Sequence, residues 1–120
     1  MAAGFEQKIF KPNEYLLKEG TPSDAAFLIS SGKVEVRKGA MSDSPQTLAV
    51  LEKGAVIGEM SLFDDKPPIA SAIAIEETTT SAISRSEFQR RVGEMDPVMR
   101  VILKIMVERI RDMSKKPGIS

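Results

Sequence analysis

The chain has 120 residues, of which 42% are hydrophobic and 28% are charged, a composition typical of one globular domain and not of a disordered chain. Lysine plus arginine and aspartate plus glutamate both number 17, so no net charge favours nucleic acid or an anionic membrane as a partner. The absence of cysteine and histidine excludes disulfides, thiolate metal sites and the commonest general base. We therefore expect no catalytic residues, no metal and no enzymatic activity.

The first two-thirds of the chain has turn residues at short intervals, as in an all-β protein. Val34 and Val36 alternate with charged neighbours, which is typical of a half-buried strand. The polar segment 39–45 predicts an exposed loop between two strands. The other predicted strand segments are residues 9–10, 15–18, 26–29, 46–51, 70–75 and 78–83. The pattern predicts a sandwich or roll of short strands.

The hydrophobic period becomes helical after residue 84. Ser86 followed by Gln89 fits a capping box and predicts a short helix over about residues 86–93. Asp96 and Pro97 suit the cap and the first position of a second helix, which we expect over about residues 97–115. We expect one domain over residues 1–120.

The last predicted helix is apolar on more than half of its circumference. Its first apolar stripe repeats every three or four residues, like a coiled-coil seam, and consists of Met99, Leu103, Met106, Ile110 and Met113. A second stripe consists of Val98, Val101, Ile102 and Ile105. One stripe is sufficient to pack a helix on its own domain, so we expect the first to form a homodimer or to contact a partner protein. The alternative is that both stripes are buried within the domain.

A stretch with components of a phosphate site, residues 58–71, begins with a glycine and an acidic residue. Three segments that contain glycine precede it in a fixed order, residues 19–20, 27–36 and 51–54, and Phe88 follows it. Together these features resemble the cyclic-nucleotide-binding domain family, the β-roll of the catabolite activator protein and of kinase regulatory subunits. The resemblance covers roughly residues 9–115. It implies a mainly β fold, a jelly-roll-type double-stranded β-helix of about eight short strands over about residues 5–84, with two C-terminal helices.

The resemblance also implies a ligand site. In this family the phosphate cassette starts with a short helix and ends on a proline–arginine–small residue step. Residues 58–70 correspond to it in this sequence. Gly58 would let the backbone approach the ligand, because it has no Cβ. Glu59 would accept a hydrogen bond from the ribose 2′-hydroxyl, and the N–H groups around Met60 and Ser61 would lie near the cyclic phosphate.

The chain departs from the family at the end of the cassette. Pro67 and Ala70 match the family's pattern, but Pro68 stands where an arginine should pair with the phosphate. Ile69 replaces a residue that is usually small or hydroxylated. Losing a charge-assisted hydrogen bond costs about 1.5–3 kcal/mol, so we expect binding of a cyclic nucleotide to be weakened or lost.

Two other residues offer ways to keep a ligand. Lys66 lies two residues from the vacant arginine position and could reach a phosphate as a point charge. The alternative interpretation is a solvated loop residue. Ser114 falls near the family's purine contacts and could bind a base, although it also reads as a polar residue at a helix end. A basic face toward the C-terminus suits solvation and the helix dipole: Lys104, Arg109, Arg111, Lys115 and Lys116.

These features predict a non-catalytic regulatory or adaptor module that acts through protein contact. The alternative is a genuine cAMP or cGMP sensor, in which ligand binding at Glu59 repositions the last helix. A cyclic nucleotide is the only small ligand we expect, and no cofactor. Family transcription factors carry a helix-turn-helix after this helix, whereas only residues 116–120 follow here, so we expect no nucleic-acid partner. The chain shows no signal segment and no apolar run of about 20 residues, so we expect a cytoplasmic protein without membrane contact.

Overall fold

The computed structural model describes residues 5–115, and the side chains as far as residue 113. Eight strands are followed or interrupted by three helices. In chain order they are β1 (Phe5–Phe10), β2 (Tyr15–Leu17), β3 (Ala25–Ser31), β4 (Val34–Lys38), β5 (Gln46–Leu51), β6 (Val56–Ile57), α1 (Glu59–Asp64), β7 (Ser71–Ala74), β8 (Thr78–Ser84), α2 (Arg85–Gly93) and α3 (Pro97–Lys115). The mainly β fold of about eight short strands with two C-terminal helices is confirmed.

The strands form two four-stranded antiparallel sheets, with the orders β1-β8-β3-β6 and β2-β7-β4-β5. Most successive strands lie in different sheets, so the chain crosses repeatedly from one sheet to the other. This alternation produces a roll and not two separate meanders. The cassette helix α1 connects β6 of the first sheet to β7 of the second, and it therefore lies where the two sheets meet.

The hydrophobic core lies between the two sheets and takes residues from both. In β3, Phe27 and Ile29 are buried whereas Leu28 between them is exposed, as the two-residue period of a strand requires. The ring of Phe10 packs edge-on against Phe27, with 5.4 Å between ring centroids. The buried cluster consists of Leu16, Leu17, Phe27, Ile29, Val34, Ile57, Ala72, Ala74 and Ala82.

The start of α2 corrects the predicted capping box. The cap is Ser84, not Ser86, and its hydroxyl accepts a hydrogen bond from the amide of Glu87 at 3.2 Å. Because β8 continues to Ser84 and the chain turns directly into α2, no residues separate the strand from the helix. The signature is still a serine followed three residues later by an acidic side chain, but it lies two residues earlier than predicted.

The start of α3 is as predicted. The Asp96 carboxylate accepts hydrogen bonds from the amides of Val98 at 2.8 Å and Met99 at 3.4 Å. These bonds satisfy two of the amides that the first helical turn leaves without partners. Within residues 5–115, no helix is both long enough and apolar enough to cross a bilayer.

Helix α3 contacts the rest of the molecule along a narrow face. Leu103 and Val107 on this face are half-buried, and Arg111 is buried. Eight apolar side chains on the other side are 41–66% exposed, and we call them the outer face of α3: Val98, Met99, Val101, Ile102, Ile105, Met106, Ile110 and Met113. The outer face combines the second apolar stripe with all of the first except Leu103. The alternative in which both stripes are buried within the domain is therefore wrong for this chain.

Candidate functional site

The predicted ligand residues line one cavity, of about 180 Å³, between the roll and α1. Aliphatic side chains from both sheets form most of its wall, including Leu17, Val36 and Ile57. Polar groups from α1 and from the start of β7 interrupt this apolar wall. The predicted residues that line the cavity are Gly58, Glu59, Met60, Ser61, Pro68, Ile69 and Ala70. The side chain of Ser114, the remaining predicted ligand residue, lies outside the described residues.

Glycine is required at position 58 for a structural reason that is independent of any ligand. Its φ is +87°, in the left-handed region that favours glycine. A Cβ at this position would lie 3.2 Å from the carbonyl oxygen of Ala25 and 3.3 Å from the methyl groups of Leu17. The backbone therefore turns closely over the roll at Gly58, and this turn sets the direction in which α1 leaves β6.

The end of the cassette is fixed against the turn that follows β2. Pro68 is buried in the cavity wall, and its carbonyl accepts a hydrogen bond from the amide of Gly20 at 3.0 Å. The hydroxyl of Ser71 is buried and accepts one from the amide of Glu19, also at 3.0 Å. Ile69 is half-buried and lines the cavity without filling it. Position 68 thus contributes neither a charge nor an N–H to the cavity.

A cation reaches this wall from α3. Nε and Nη2 of Arg111 donate to the two carboxylate oxygens of Asp64, at 2.6 and 3.0 Å. Nη1 donates to the carbonyl of Pro67 at 2.8 Å. Nη2 also lies 3.3 Å from the carbonyl of Lys66 and 3.4 Å from the hydroxyl of Ser61. Arg111 lines the cavity and is only 3% exposed, so the guanidinium is a buried part of the site.

The sequence interpretation missed Arg111 because it assigned this residue to the solvated basic face, and that assignment is wrong. The missed signal is the spacing of Leu103, Val107 and Arg111, four residues apart, which puts all three on one side of the helix. A charged residue in line with two half-buried apolar residues requires a partner. The carboxylate of Asp64 is that partner.

The Asp64–Arg111 pair is electrostatically favourable. Burial raises the pKa of Asp64, but hydrogen bonds from Arg111 and from the amide of Lys66 outweigh burial and hold the pKa below its ordinary value. Asp64 is therefore ionised at neutral pH, and it balances the buried guanidinium. The pair joins α3 to the C-terminal end of α1.

A second arginine holds α1 from the side of α2. Arg85 pairs with the carboxylate of Asp65 and donates to the carbonyl of Ser61 at 3.4 Å. It also donates to the carbonyl of Ser23, before β3. The ring of Phe63 in α1 meets that of Phe88 in α2 edge-on, at 6.2 Å between centroids. The cassette helix is thus fixed between α2 and α3.

Lys66, the alternative cation from the sequence, is exposed, and it is not among the described residues that line the cavity. Its backbone is engaged instead: the amide donates to Asp64 at 3.0 Å, and the carbonyl accepts from Arg111. The site therefore combines an apolar wall, the acidic Glu59, the hydroxyl of Ser61 and one buried guanidinium. Such a combination suits a flat or apolar group together with an anion.

The model of the cyclic nucleotide-binding domain matches residues 7–94, most of the roll together with the cassette and α2. The chain belongs to this family. The matched residues include the whole cassette, whereas α3 lies entirely beyond them. The expected family membership is confirmed.

Named relatives agree with this membership. The chain is 31% identical over 100 residues to the cAMP-dependent protein kinase regulatory subunit of Pyricularia oryzae, covering 83% of this chain and 25% of that protein. It is 28% identical over 108 residues to the cyclic AMP receptor protein of Thermus thermophilus, covering 90% and 50%. The crystal structure of the Thermus thermophilus catabolite activator protein superposes with a TM-score of 0.73 at 27% identity, covering 92% and 52%. The chain thus spans about a quarter to a half of the curated relatives' length.

Proposed function

We propose that this cyclic nucleotide-binding domain is a non-catalytic regulatory or adaptor module that binds a cyclic nucleotide weakly and acts through protein contact. The observation that carries this proposal is Pro68, which is buried in the cavity wall and which the family resemblance aligns with the phosphate-binding arginine. A phosphate placed there meets a side chain without charge or donor. Leaving a charge without its partner in a partly desolvated site costs about 2–5 kcal/mol.

The size of the cavity supports weak binding. Pockets that enclose a small ligand usually measure about 300–1,000 Å³, whereas this cavity measures about 180 Å³. A nucleotide would remain partly exposed, or α1 would have to move to admit it. Because α1 is tied to α2 and α3 by arginines, such a movement costs free energy.

The outer face of α3 supports the contact part of the proposal. Soluble domains rarely expose so many large apolar side chains on one side of a helix unless a partner covers them. The surface is one side of a single helix, and a second copy of the chain brings an identical helix that can cover it across a two-fold axis. A homodimer is therefore the partner that we propose, with a separate signalling protein as the alternative.

A genuine cAMP or cGMP sensor is the second candidate, and the position of Arg111 favours it. This residue belongs to α3 and at the same time lines the cavity. A ligand that changes the hydrogen bonds of Arg111 would therefore act directly on the helix that carries the outer face. In this version the output is a displacement of α3.

Restoring the arginine tests the proposal. We expect calorimetry to show weak or no binding of cAMP, cGMP and a cyclic dinucleotide to the wild type. Pro68→Arg should raise the affinity for cAMP or cGMP at least tenfold, because it returns a charge-assisted bond worth about 1.5–3 kcal/mol. Pro67→Arg is the matched control, since Pro67 is the exposed neighbour and is not among the described residues that line the cavity.

Micromolar binding by the wild type would contradict the weak-binding proposal and support the sensor. If neither the wild type nor Pro68→Arg binds, Ile69 or the roll has closed the cavity. In that case the chain acts by protein contact alone.

A further inference from the structure

Position 68 and Arg111 are neighbours in space although they are far apart in the sequence. Nη1 of Arg111 donates to the carbonyl of Pro67, which directly precedes Pro68. The guanidinium also lies beside the hydroxyl of Ser61, on the first turns of α1. A buried arginine thus stands within one peptide unit of the position where the cassette lacks one.

We infer that Arg111 is the phosphate-binding cation of this cavity, so that α3 supplies the charge that the cassette has lost. The inference rests on the proposed function to one extent: the cavity must still take a cyclic nucleotide, however weakly. The ligand class is a nucleoside cyclic phosphate, whose apolar base meets the aliphatic wall and whose anionic phosphate meets the guanidinium.

The hydrogen bonds of Arg111 allow this exchange. Asp64 holds Nε and Nη2 from one edge of the guanidinium, at 2.6 and 3.0 Å, and so orients the plane of the group. The guanidinium also donates to neutral oxygens, among them the carbonyls of Pro67 and Lys66 and the hydroxyl of Ser61, at 2.8, 3.3 and 3.4 Å. A phosphate oxygen is a stronger acceptor than a neutral carbonyl, so it can replace the longer contacts. Asp64 can stay paired while this happens.

The charges around the cavity favour Arg111 over the other candidates. Lys66 is exposed and its side chain is not part of the described wall, whereas Arg111 lines it. Glu59 lines the cavity, and the carboxylate of Asp64 is already neutralised by its pair with Arg111. Binding through Arg111 agrees with the weak binding proposed above, because a guanidinium shared with a carboxylate is less available than an arginine at position 68 would be.

A comparison of two ligands tests this inference. Titration of cAMP and of adenosine, which lacks the phosphate, is measured for the wild type and for Arg111→Gln. We expect Arg111→Gln to weaken cAMP binding at least tenfold and to leave adenosine binding unchanged. Moving the arginine back into the cassette, in Pro68→Arg/Arg111→Gln, should restore cAMP binding to the wild-type level or better.

Two controls separate phosphate contact from a general effect. Arg109→Gln removes the same charge from an exposed position on α3 and should change neither titration. Because Arg111→Gln leaves Asp64 buried without its partner, Asp64→Asn/Arg111→Gln is measured as well. It removes both charges and should show the same selective loss of cAMP affinity in a folded protein.

Equal weakening of cAMP and adenosine would overturn the inference, because it would show that Arg111 only holds the cavity together. Unchanged cAMP binding in Arg111→Gln would overturn it too, while leaving weak nucleotide binding intact. If the wild type binds no cAMP at millimolar concentration, Arg111 is not a phosphate-binding cation. The regulatory module that acts through α3 alone would then stand.

Discussion

At the scale of single residues, three positions of the site are explained by their surroundings in the fold: Gly58, Pro68 and Arg111. Gly58 has a φ of +87°, and a Cβ at this position would lie within 3.3 Å of the Ala25 carbonyl oxygen and the Leu17 methyl groups. Pro68 fits a buried wall position, where its carbonyl accepts a hydrogen bond from the amide of Gly20. Arg111 is buried beside Asp64, whose carboxylate balances the charge of the guanidinium. Each residue is therefore explained by its neighbours before any ligand is considered.

Gly58→Ala should lower the free energy of unfolding by about 1–2 kcal/mol, because an L-residue with a side chain strains at this left-handed φ. Chemical denaturation at pH 7 measures the change. Gly93→Ala is the matched control: a Cβ at Gly93 meets nothing within 4 Å and its φ is not positive, so stability should stay equal or rise. Equal stability of Gly58→Ala and the wild type would contradict the strained turn.

At the scale of elements, the cassette helix α1 is fixed by two arginines that come from later helices. Arg85 at the start of α2 holds Asp65 and the Ser61 carbonyl, and Arg111 near the end of α3 holds Asp64. A six-residue helix is too short to be stable alone, so these contacts and the turn at Gly58 keep it in place. The cassette helix is therefore joined directly to both α2 and α3.

Asp64→Asn should destabilise the protein by about 2 kcal/mol at pH 7, because it leaves the buried Arg111 without a carboxylate. Since the folded pKa of Asp64 lies below its ordinary value, its contribution is fully present above about pH 4 and is lost as the pH falls through the folded pKa. The difference between wild type and variant should therefore stay constant from pH 7 down to about pH 4 and shrink at lower pH.

Urea denaturation at several pH values measures this difference. Asp43→Asn, in the exposed loop between β4 and β5, is the control and should follow the wild type at every pH. The helical pair Glu87–Arg90 contributes to the acid loss in all variants, because hydrogen bonds from Arg90 and Arg91 lower the pKa of Glu87 to about 2. A pH-independent difference between Asp64→Asn and the wild type would contradict an ionised Asp64–Arg111 pair.

At the scale of the whole molecule, the inner sides of the two sheets are buried in the core, whereas the outer face of α3 is exposed to solvent. The core between the sheets is closed by residues such as Phe27 and Val34. The outer face of α3 instead presents eight apolar side chains to solvent. The molecule has the form of a completed domain with one additional helix, whose polar side carries residues such as Lys104 and Glu108.

Met106→Glu should convert the proposed dimer into a monomer, because it puts an unpaired carboxylate in the middle of the outer face, where a partner helix would desolvate it. Light scattering coupled to size exclusion measures the mass. Lys104→Glu introduces the same carboxylate on the polar side of α3 and should leave the dimer mass unchanged. A wild type of monomer mass would overturn the homodimer and leave a separate protein as the partner.

Most of the fold could be predicted from sequence, because strand and helix periods and turn residues are local. The polar segment 39–45 lies between β4 and β5 as predicted, and Asp96 caps α3. The capping serine of α2 was misplaced by two residues because Ser84 and Ser86 both fit a cap, and only the end of β8 distinguishes them. The cassette residues lie along one cavity because they are close in sequence and α1 is a single short helix.

The sequence by itself determined the family, the mainly β roll, the place of the cavity and the absence of an arginine at position 68. Only the tertiary structure decided what stands near that position and which side of α3 remains apolar and exposed. The Asp64–Arg111 bond joins residues 47 positions apart. No local period can show such a contact, because it depends on how α3 docks against the cassette. The direction of that docking places Leu103 inward and leaves the rest of the predicted seam exposed.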